Sequence, residues 1–454
     1  MKKYTKTNKY KSKVNKYKSK LNKYKSKVNK DLSISSDAKN KQKRLRIIFD
    51  YSPSLNNDAI IYKNEFIKQN YKVEFKLIDS IFHNTNSIKI KKEAYYDVNL
   101  FLELLPFKCK QIFPSHTNLF MPNNELFIDT KEDNKKQGKK NKYGDIFIYD
   151  RYEELKSIDF VLCKSEISYK FFNFIKNEKR ETQKFKINRY NYQTIYTKFT
   201  SIIMKEIQAK YNHNDNNTIK SHQHDPNLFI HLAGKSSFKN TADLVYCWIK
   251  NKGFLNIDPN IKLVITCYGD CLKWFRINLK WYDKNYNFDT DPNVIMNKNK
   301  TIAIYKNMTI YFKPIEPLTD YIDIITKANI AICISYKEGY GHYINEARYM
   351  KKFIITMDYP PMNELVKDKD ISKTSNGILL KNKSRFSNKT AAYKGNHFEF
   401  YEAFPDMVEL RDSIIWCIKN KTKLQPYCEN GRQMFLDDKY FYEDKMKQFI
   451  QSKL

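Results

Sequence analysis

The chain has 454 residues, 82 of them Lys or Arg and 50 Asp or Glu, which gives a formal net charge of +32. Its hydrophobic fraction of 41%, with 34 Tyr and 30 Phe, excludes a mostly disordered chain, and 10 Gly and 13 Pro exclude collagen-like and linker-like sequences. The length indicates two or three domains.

The positive charge is concentrated at the N-terminus. Residues 1–46 hold 18 basic and 2 acidic residues, a net charge of +16, so the other 408 residues together also carry +16. The motif NKYKSK[VL] occurs three times in this segment, and its Tyr, Val and Leu residues have the 4-3 spacing of a coiled-coil seam. Most other positions are Lys without acidic partners, so charge repulsion opposes an isolated helix. We expect residues 1–43 to form a disordered basic tail, or a helix that folds on a polyanion, with residues 1–30 contacting an anionic surface.

The sequence favours a cytoplasmic protein. It shows no signal-peptide pattern and no apolar stretch long enough to span a bilayer. Cys267 and Cys271 are the one close pair among eight scattered cysteines, and no second pair completes a zinc site. The surplus of Lys, Asn, Ile and Tyr is typical of an AT-rich genome such as that of a large DNA virus, in which case the compartment is the host cytoplasm.

In the first half, short apolar runs alternate with amphipathic stretches, as in βα units that form a parallel sheet. The predicted strands are Leu45–Asp50, Lys72–Ile78, Val98–Leu104, Leu119–Met121 and Phe160–Cys163, and the predicted helices are Asp58–Gln69 and Glu166–Lys176. The polar stretch 211–226 then indicates an interdomain linker. Its histidines, His213, His222 and His224, could hold a metal, but without Cys or spaced acidic partners a solvated linker is the favoured interpretation.

The alternation continues after the linker. The predicted strands are Leu228–Ala233, Lys262–Tyr268, Met308–Phe312, Ile330–Ser335 and Phe353–Met357, and the predicted helices are Thr241–Lys250, Thr319–Lys327, Gly341–Lys351 and two or three between Val408 and Leu454. Residues 131–142 and 381–396 are predicted to be surface loops. The predicted fold class is therefore α/β, with two Rossmann-like parallel-sheet domains, 44–210 and 227–425, facing each other across a cleft. A helix at 426–454 packs back on the first domain, and ligands bind at the carboxyl ends of the strands.

One segment, residues 330–366, carries a pattern with chemical meaning. It reads IAICISYKEGYGHYINEARYMKKFIITMDYPPMNELV, so a buried strand leads through a turn with Gly339 and Gly341 into a helix. The free N–H groups and the dipole at the helix start form an anion site, and the glycines let a phosphate come close. Glu338 and Glu346 should lie about 10 Å apart, too far for a retaining-glycosidase pair but suitable for the two polar ends of a ligand with a diphosphate in its middle. Taken alone, the spacing also fits an ordinary βα turn with a helix-face Glu.

The same segment resembles the donor-site signature of retaining, GT-B-fold glycosyltransferases of the family 4, or group 1, type, S-x-x-E-G-[FY]-G-x-x-x-x-E-A followed by a strand and a loop that ends in Glu. The matching residues are Ser335, Glu338, Gly339, Tyr340, Gly341, Glu346, Ala347 and Glu364. The resemblance implies a hexosyltransferase that uses a nucleotide-sugar donor, retains the anomeric configuration, and needs no metal or other cofactor. It also implies that Glu346 holds the ribose hydroxyls, Glu338 contacts the transferred sugar, and the backbone of Tyr340–Tyr343, including His342, holds the diphosphate.

The resemblance further implies a cation near the end of the first strand of the second domain. There the sequence LFIHLAGKSSFKNT places Gly234, Lys235 and Lys239, and we favour Lys239 over Lys235, with a solvated lysine as the alternative for each. His116 precedes a segment similar to one in the N-terminal domain of relatives and is predicted to line the cleft, or else to be a generic loop histidine. The predicted catalytic residues are thus Glu338, Lys239 and His116.

Two other interpretations stay open. The turn after the first strand, residues 51–57, lacks the glycines that family members usually have there, which leaves the glycan, protein or lipid acceptor unassigned and would suit a nucleotide-sugar-binding protein that has lost transfer. A polyanion-binding protein that acts through its basic tail is the third interpretation. It leaves residues 330–366 unexplained, and the sequence shows no RNA-binding signature.

Overall fold

The computed structural model describes residues 42–50, 52–78, 93–106, 109–123, 152–177, 180–182, 185–187, 190–201, 224–284, 286–370, 373–383 and 403–454. Residues Lys43–Leu454 form one compact unit. The basic tail, residues 211–223 of the predicted linker, and the predicted loops at 131–142 and 384–396 lie outside the described residues. No described helix combines the length and apolar character needed to cross a bilayer.

The first half of the unit forms a six-stranded sheet whose pairings are all parallel. Its strands, with a separate antiparallel pair β6–β7, are β1 (Arg44–Phe49), β2 (Lys72–Leu77), β3 (Tyr96–Leu102), β4 (Ser115–Met121), β5 (Phe160–Cys163), β6 (Arg180–Thr182), β7 (Phe185–Ile187) and β8 (Gln193–Tyr196). The order in the sheet is β2-β1-β3-β4-β5-β8. The five predicted strands are all present, and the sixth, β8, was not predicted.

The helices of this half are α1 (Pro53–Lys68), α2 (Cys109–Ile112), α3 (Tyr152–Leu155) and α4 (Glu166–Asn177). Helix α1 begins five residues before the predicted start at Asp58. The Ser52 side chain accepts a hydrogen bond from the Leu55 N–H at 3.1 Å, and Pro53 has its ring-fixed φ at the first helical position. Most of the stretch predicted as a turn is therefore helix.

The second half forms an eight-stranded sheet. Its strands are β9 (Asp225–Gly234), β10 (Lys262–Cys267), β11 (Val294–Met296), β12 (Ile302–Tyr305), β13 (Met308–Tyr311), β14 (Ala328–Cys333), β15 (Phe353–Met357) and β16 (Gly377–Leu380), in the order β11-β12-β13-β10-β9-β14-β15-β16. Strands β11 and β12 extend this otherwise parallel sheet at one edge through two antiparallel pairings, β11 with β12 and β12 with β13. Because β9 begins at Asp225, the last two residues of the predicted linker belong to a strand.

The remaining helices are α5 (Thr241–Lys250), α6 (Asp270–Leu279), α7 (Leu318–Lys327), α8 (His342–Tyr349), α9 (Met362–Leu365), α10 (Met407–Asn420) and α11 (Gln425–Lys453). Helix α11 contacts elements of both sheets. Its Asp438 accepts from Arg348 of α8 at 2.7 Å, and its Phe449 ring packs edge-on against Phe160 of β5 at 5.1 Å. The chain end also returns to the first half, since Lys43 Nζ donates to the Leu454 carbonyl.

The central strands are buried, as expected for parallel strands covered on both faces; all six residues of β14, for example, are buried. All eight cysteines of the chain are also buried, and none is in a disulfide. The order of strands reverses between β1 and β3 in the first sheet and between β9 and β14 in the second. In α/β proteins, ligands bind at the carboxyl ends of strands beside such a reversal, so the loops after β9 and β14 are where a site is expected.

Candidate active site

The turn from β14 into α8 has the backbone of an anion site. Gly341 caps α8 with a φ of 101°, a conformation that L side chains rarely adopt, and a Cβ there would lie 3.1 Å from Leu365 Cδ1. Among the described residues, no side chain caps this helix. The N–H groups of His342 and Tyr343 precede the first helical hydrogen bonds, which the Ile344 and Asn345 N–H groups donate to the Gly341 carbonyl at 3.0 and 3.1 Å. The start of the helix can therefore hold a negatively charged group.

Glu338, in the same turn, is held by a cation and a hydroxyl. Lys239 Nζ forms an ion pair with Glu338 Oε1, and Ser335 Oγ donates to the same oxygen at 2.5 Å. Lys239 Nζ also lies 3.7 Å from the centre of the Tyr343 ring, whose hydroxyl is hydrogen-bonded to Ser335 Oγ. The ammonium, the carboxylate and the first turn of α8 therefore meet.

A buried histidine in β9 fixes the position of the segment that carries Lys239. His231, in β9, lies 2.8 Å from the Ile332 carbonyl through Nδ1 and 3.0 Å from Thr241 Oγ1 through Nε2. Burial lowers the pKa of His231 to about 4, so its ring is neutral at physiological pH. This ring ties the end of β9 to β14 and to the start of α5, and it thereby fixes the loop between them.

Gly234 and Lys235 start that loop. Gly234 has a φ of 58°, and a Cβ on it would lie 3.5 Å from the Tyr268 hydroxyl. The side chain of Lys235 is exposed and packs over Gly269, and its carbonyl accepts from the Cys271 N–H at 3.1 Å. Of the two lysines, Lys239 is the one that pairs with Glu338, and Lys235 lies at the surface.

Glu346 is half-buried one turn into α8. Ser201 Oγ, from the chain after β8, donates to Glu346 Oε1 at 3.4 Å. Burial raises the pKa of Glu346 to about 7, although the nearby charges of His342 and Lys239 and the Ser201 hydroxyl act in the opposite direction. Burial and then the negative charge of Glu346 raise the pKa of Tyr321 in α7. Ser201 and Tyr321, which the sequence did not single out, therefore surround this carboxyl.

His342 connects α8 to the first sheet. Its Nε2 donates to Asp58 Oδ1 at 2.8 Å, and Lys164 Nζ, after β5, donates to Asp58 Oδ2 at 2.9 Å. Asp58 is 2% exposed and Lys164 4% exposed. Burial alone would raise the pKa of Asp58, but Lys164 and His342 hold it below its ordinary value. The first turn of α8 is thus positioned by a buried carboxylate of the first half.

Two further residues of the β14–α8 turn contact the first half. The Tyr340 hydroxyl donates to the Phe199 carbonyl at 2.7 Å, and the two rings pack edge-on. A Cβ on Gly339 would lie 2.1 Å from Oδ1 of Asn123, which follows β4, so a larger residue there would have to displace the Asn123 side chain. The β14–α8 turn therefore packs directly against the carboxyl end of the first sheet.

Glu364, the last residue of the matched pattern, has a structural contact. It accepts hydrogen bonds from the N–H groups of Glu166 at 2.6 Å and Ile167 at 2.9 Å, and it thereby caps α4 of the first half. Burial raises its pKa to about 7, although the two N–H donors lower it. Glu364 belongs to the second half, so its contact with α4 links the two halves.

The structure contradicts the prediction that His116 lines the cleft. It stands in the amino-terminal part of β4, where it is exposed and packs against the Tyr95 ring at 4.9 Å. In a parallel sheet the carboxyl ends of all strands lie on the same side, and His116 lies on the opposite side, near the amino end of β4. Asn123, which follows β4, is instead the residue that contacts the β14–α8 turn.

Metal-ligand clusters are absent from the described part of the chain, where no three His, Cys, Asp or Glu side chains come together. His213 and His222 lie outside the described residues. His224 is half-buried, and burial, followed by the charges of Lys352 and Lys351, lowers its pKa to about 4.

Comparison with solved structures identifies the fold of this chain. No family model and no curated protein sequence matches the chain significantly. Among solved structures, sucrose-phosphate synthase from Thermosynechococcus elongatus is similar with a TM-score of 0.55 and 11% identity, over 90% of this chain and 98% of that one. WaaG, a glycosyltransferase involved in lipopolysaccharide biosynthesis, is similar with a TM-score of 0.50 and 11% identity, over 90% of this chain and all of that one. The chain has the GT-B fold of these glycosyltransferases.

Proposed function

We propose that this protein is a glycosyltransferase that moves a sugar from a nucleoside-diphosphate sugar to a glycan, protein or lipid acceptor. The observation that carries the proposal is the meeting of Lys239, Glu338 and the first turn of α8 beside the strand reversal between β9 and β14. A diphosphate needs concentrated positive charge, and the sugars on either side of it need hydrogen-bond acceptors. This arrangement offers both.

The diphosphate would bind at the amino end of α8. The N–H groups from Tyr340 to Tyr343 together with the helix dipole would hold the phosphate oxygens. Lys239 would exchange its ion pair with Glu338 for one with the phosphates. Its charge would then oppose the negative charge that develops as the diphosphate leaves, a role that requires no metal ion.

The two glutamates would hold the ligand on either side of the diphosphate. Glu346, with its half-buried carboxyl, would accept hydrogen bonds from the ribose hydroxyls, and its charge would be stabilised by those bonds. Glu338, once Lys239 turns to the phosphates, would accept from hydroxyls of the transferred sugar. Attack by the acceptor on the face from which the diphosphate leaves would retain the anomeric configuration without a nucleophilic side chain. Eight buried thiols outside disulfides suit a reducing, cytoplasmic setting.

Thermal unfolding with UDP, GDP, ADP and their sugars tests donor binding. A nucleotide at a hundred times its Kd should stabilise the fold by about 2.7 kcal/mol, so one base should raise the Tm. Glu346→Ala should remove this shift, whereas Glu429→Ala, a surface variant on α11, should keep it. A Tm that no nucleotide raises would contradict the proposal. Transfer of labelled sugar to a component of cell extract then distinguishes an enzyme from a protein that only binds the donor.

A further inference from the structure

Helix α6 has an apolar stripe on its outer side. Its buried residues are Cys271, Phe275 and Leu279. Facing away from these are Trp274, Ile277 and Trp281, which are 44%, 41% and 51% exposed. Trp281 follows the last helical residue, but its N–H donates to the Asn278 carbonyl at 3.0 Å, so the helical turn continues through it. Positions i, i+3 and i+7 share one helix face, so the three side chains form one continuous stripe.

Two of the four tryptophans in the chain lie in this stripe. Of four tryptophans in the sequence, Trp248 is fully buried and Trp416 packs partly buried against the core. The other two are exposed side by side here. Tryptophan is enriched where an apolar surface meets a polar one, at protein interfaces and at the headgroup level of membranes.

Lysines follow one edge of the stripe. Lys273 and Lys280 are exposed and stand at i and i+7, next to the tryptophan positions on the same helical surface, and the exposed Lys284 follows after the end of the helix. The acidic residues of this segment are Asp270 at its start and Asp283 near its end. Arg276 is directed elsewhere, to an ion pair with Asp289 at 2.9 Å. The outer face of α6 is therefore an apolar band with a row of positive charge beside it.

We propose that this face docks on a lipid bilayer that carries anionic headgroups. Trp274, Ile277 and Trp281 would enter the boundary between headgroups and acyl chains, and the lysine row would contact the lipid phosphates, as on interfacial amphipathic helices. Three apolar side chains are far fewer than the roughly 20 residues a side of a stable protein interface, which favours a bilayer over a second copy of the chain. Docking here does not depend on the reaction proposed above.

The docked face adjoins the candidate active site. Helix α6 starts directly after Gly269, against which Lys235 packs, and its Cys271 N–H donates to the Lys235 carbonyl. Docking through α6 would therefore bring the loop after β9 close to the bilayer surface.

Tryptophan fluorescence of the full-length protein tests the proposal, with vesicles of phosphatidylcholine alone or mixed with phosphatidylglycerol. With the anionic vesicles we expect the emission to shift to shorter wavelength and to be quenched by phosphatidylcholine brominated near the headgroup. Trp274→Ser/Trp281→Ser should weaken vesicle partitioning about tenfold, since two large apolar side chains no longer leave water. The matched control is Ile295→Ser/Ile304→Ser, which removes two exposed, mutually paired side chains from β11 and β12 and should partition like the wild type.

Quenching of the wild-type tryptophan emission by brominated lipid tests the docking proposal even if a variant folds poorly. Binding through the basic tail alone would give cosedimentation without a wavelength shift or quenching, and that result would overturn the proposal. So would absence of binding to anionic vesicles, or equal partitioning of the tryptophan double variant. A lipid-free dimer in light scattering that the tryptophan variant abolishes would assign this face to a second copy of the chain and would likewise overturn it.

Discussion

Replacing Asp58 with alanine should destabilise the fold strongly, because the change leaves a buried cation without its partner. Asp58 and Lys164 are 2% and 4% exposed, and their 2.9 Å contact is the ion pair that offsets burial of the ammonium. Breaking such a pair from one side costs about 3–5 kcal/mol. The contact between Lys164 and the Phe199 ring, at 5.3 Å, offsets roughly 0.5–2 kcal/mol of this. We therefore expect a net loss of about 3 kcal/mol.

The assay is equilibrium unfolding in urea of Asp58→Ala, of Lys164→Met and of the double variant. Because the double variant replaces both charges with apolar groups, it should be more stable than Asp58→Ala alone, which gives a coupling energy of about 2 kcal/mol or more in the double-mutant cycle. The exposed pair Asp323 and Lys327 is the control, and Asp323→Ala should cost no more than about 0.5 kcal/mol.

The pH dependence has a definite sign. The folded pKa of Asp58 is lowered, so its stabilisation is fully present above the unfolded value of about 3.9 and is lost as the pH falls through the lower folded value. The Asp58→Ala variant should lack that part of the acid sensitivity of the wild type. A loss below 1 kcal/mol in Asp58→Ala, or a double variant no more stable than it, would refute the reasoning.

Three further outcomes follow from the site. Lys239→Met should lower kcat about 10²–10³-fold because it removes charge stabilisation of the leaving diphosphate, whereas the exposed Lys327→Met should not, as measured at saturating donor. Gly339→Ala should cost about 1–3 kcal/mol in thermal unfolding, since its Cβ would lie 2.1 Å from Asn123 Oδ1, and Asn123→Ala in the same chain should recover part of the loss. With the pKa of Glu346 near 7, donor affinity should weaken about tenfold per pH unit below 7 because the protonated carboxyl accepts poorly, and Glu346→Gln should flatten this dependence in calorimetry with a nucleotide-sugar.

The strands and the main turn of the site were predictable from the sequence because their signals are local. Strands such as β14 and β15 are mostly apolar runs, and Gly341 before α8 has a φ of 101°, which favours glycine. The edge strands β11 and β12 were missed because they have three and four residues and stand among polar residues. Helix α6 was missed because apolar residues on both its faces obscure the helical period.

The contacts between the two halves were not predictable for a different reason. Asp58 and His342 are 284 positions apart, and nothing local in either segment indicates the other. An acidic residue on the apolar face of a helix was the one available signal for Asp58, and it names no partner. His116 was misplaced because a histidine before an apolar run marks the amino end of a parallel strand, away from the ligand-binding edge.

The burial of all eight cysteines gives each half of the molecule its own reporter of local opening. Burial raises the pKa of Cys109 and Cys163 in the first half and of Cys247 and Cys333 in the second, so their thiols stay protonated and unreactive while packed. A thiol reagent can label them only when the surrounding structure opens. The labelling rate of each cysteine therefore measures the free energy of opening at its own position, and the two halves can be compared without any introduced probe.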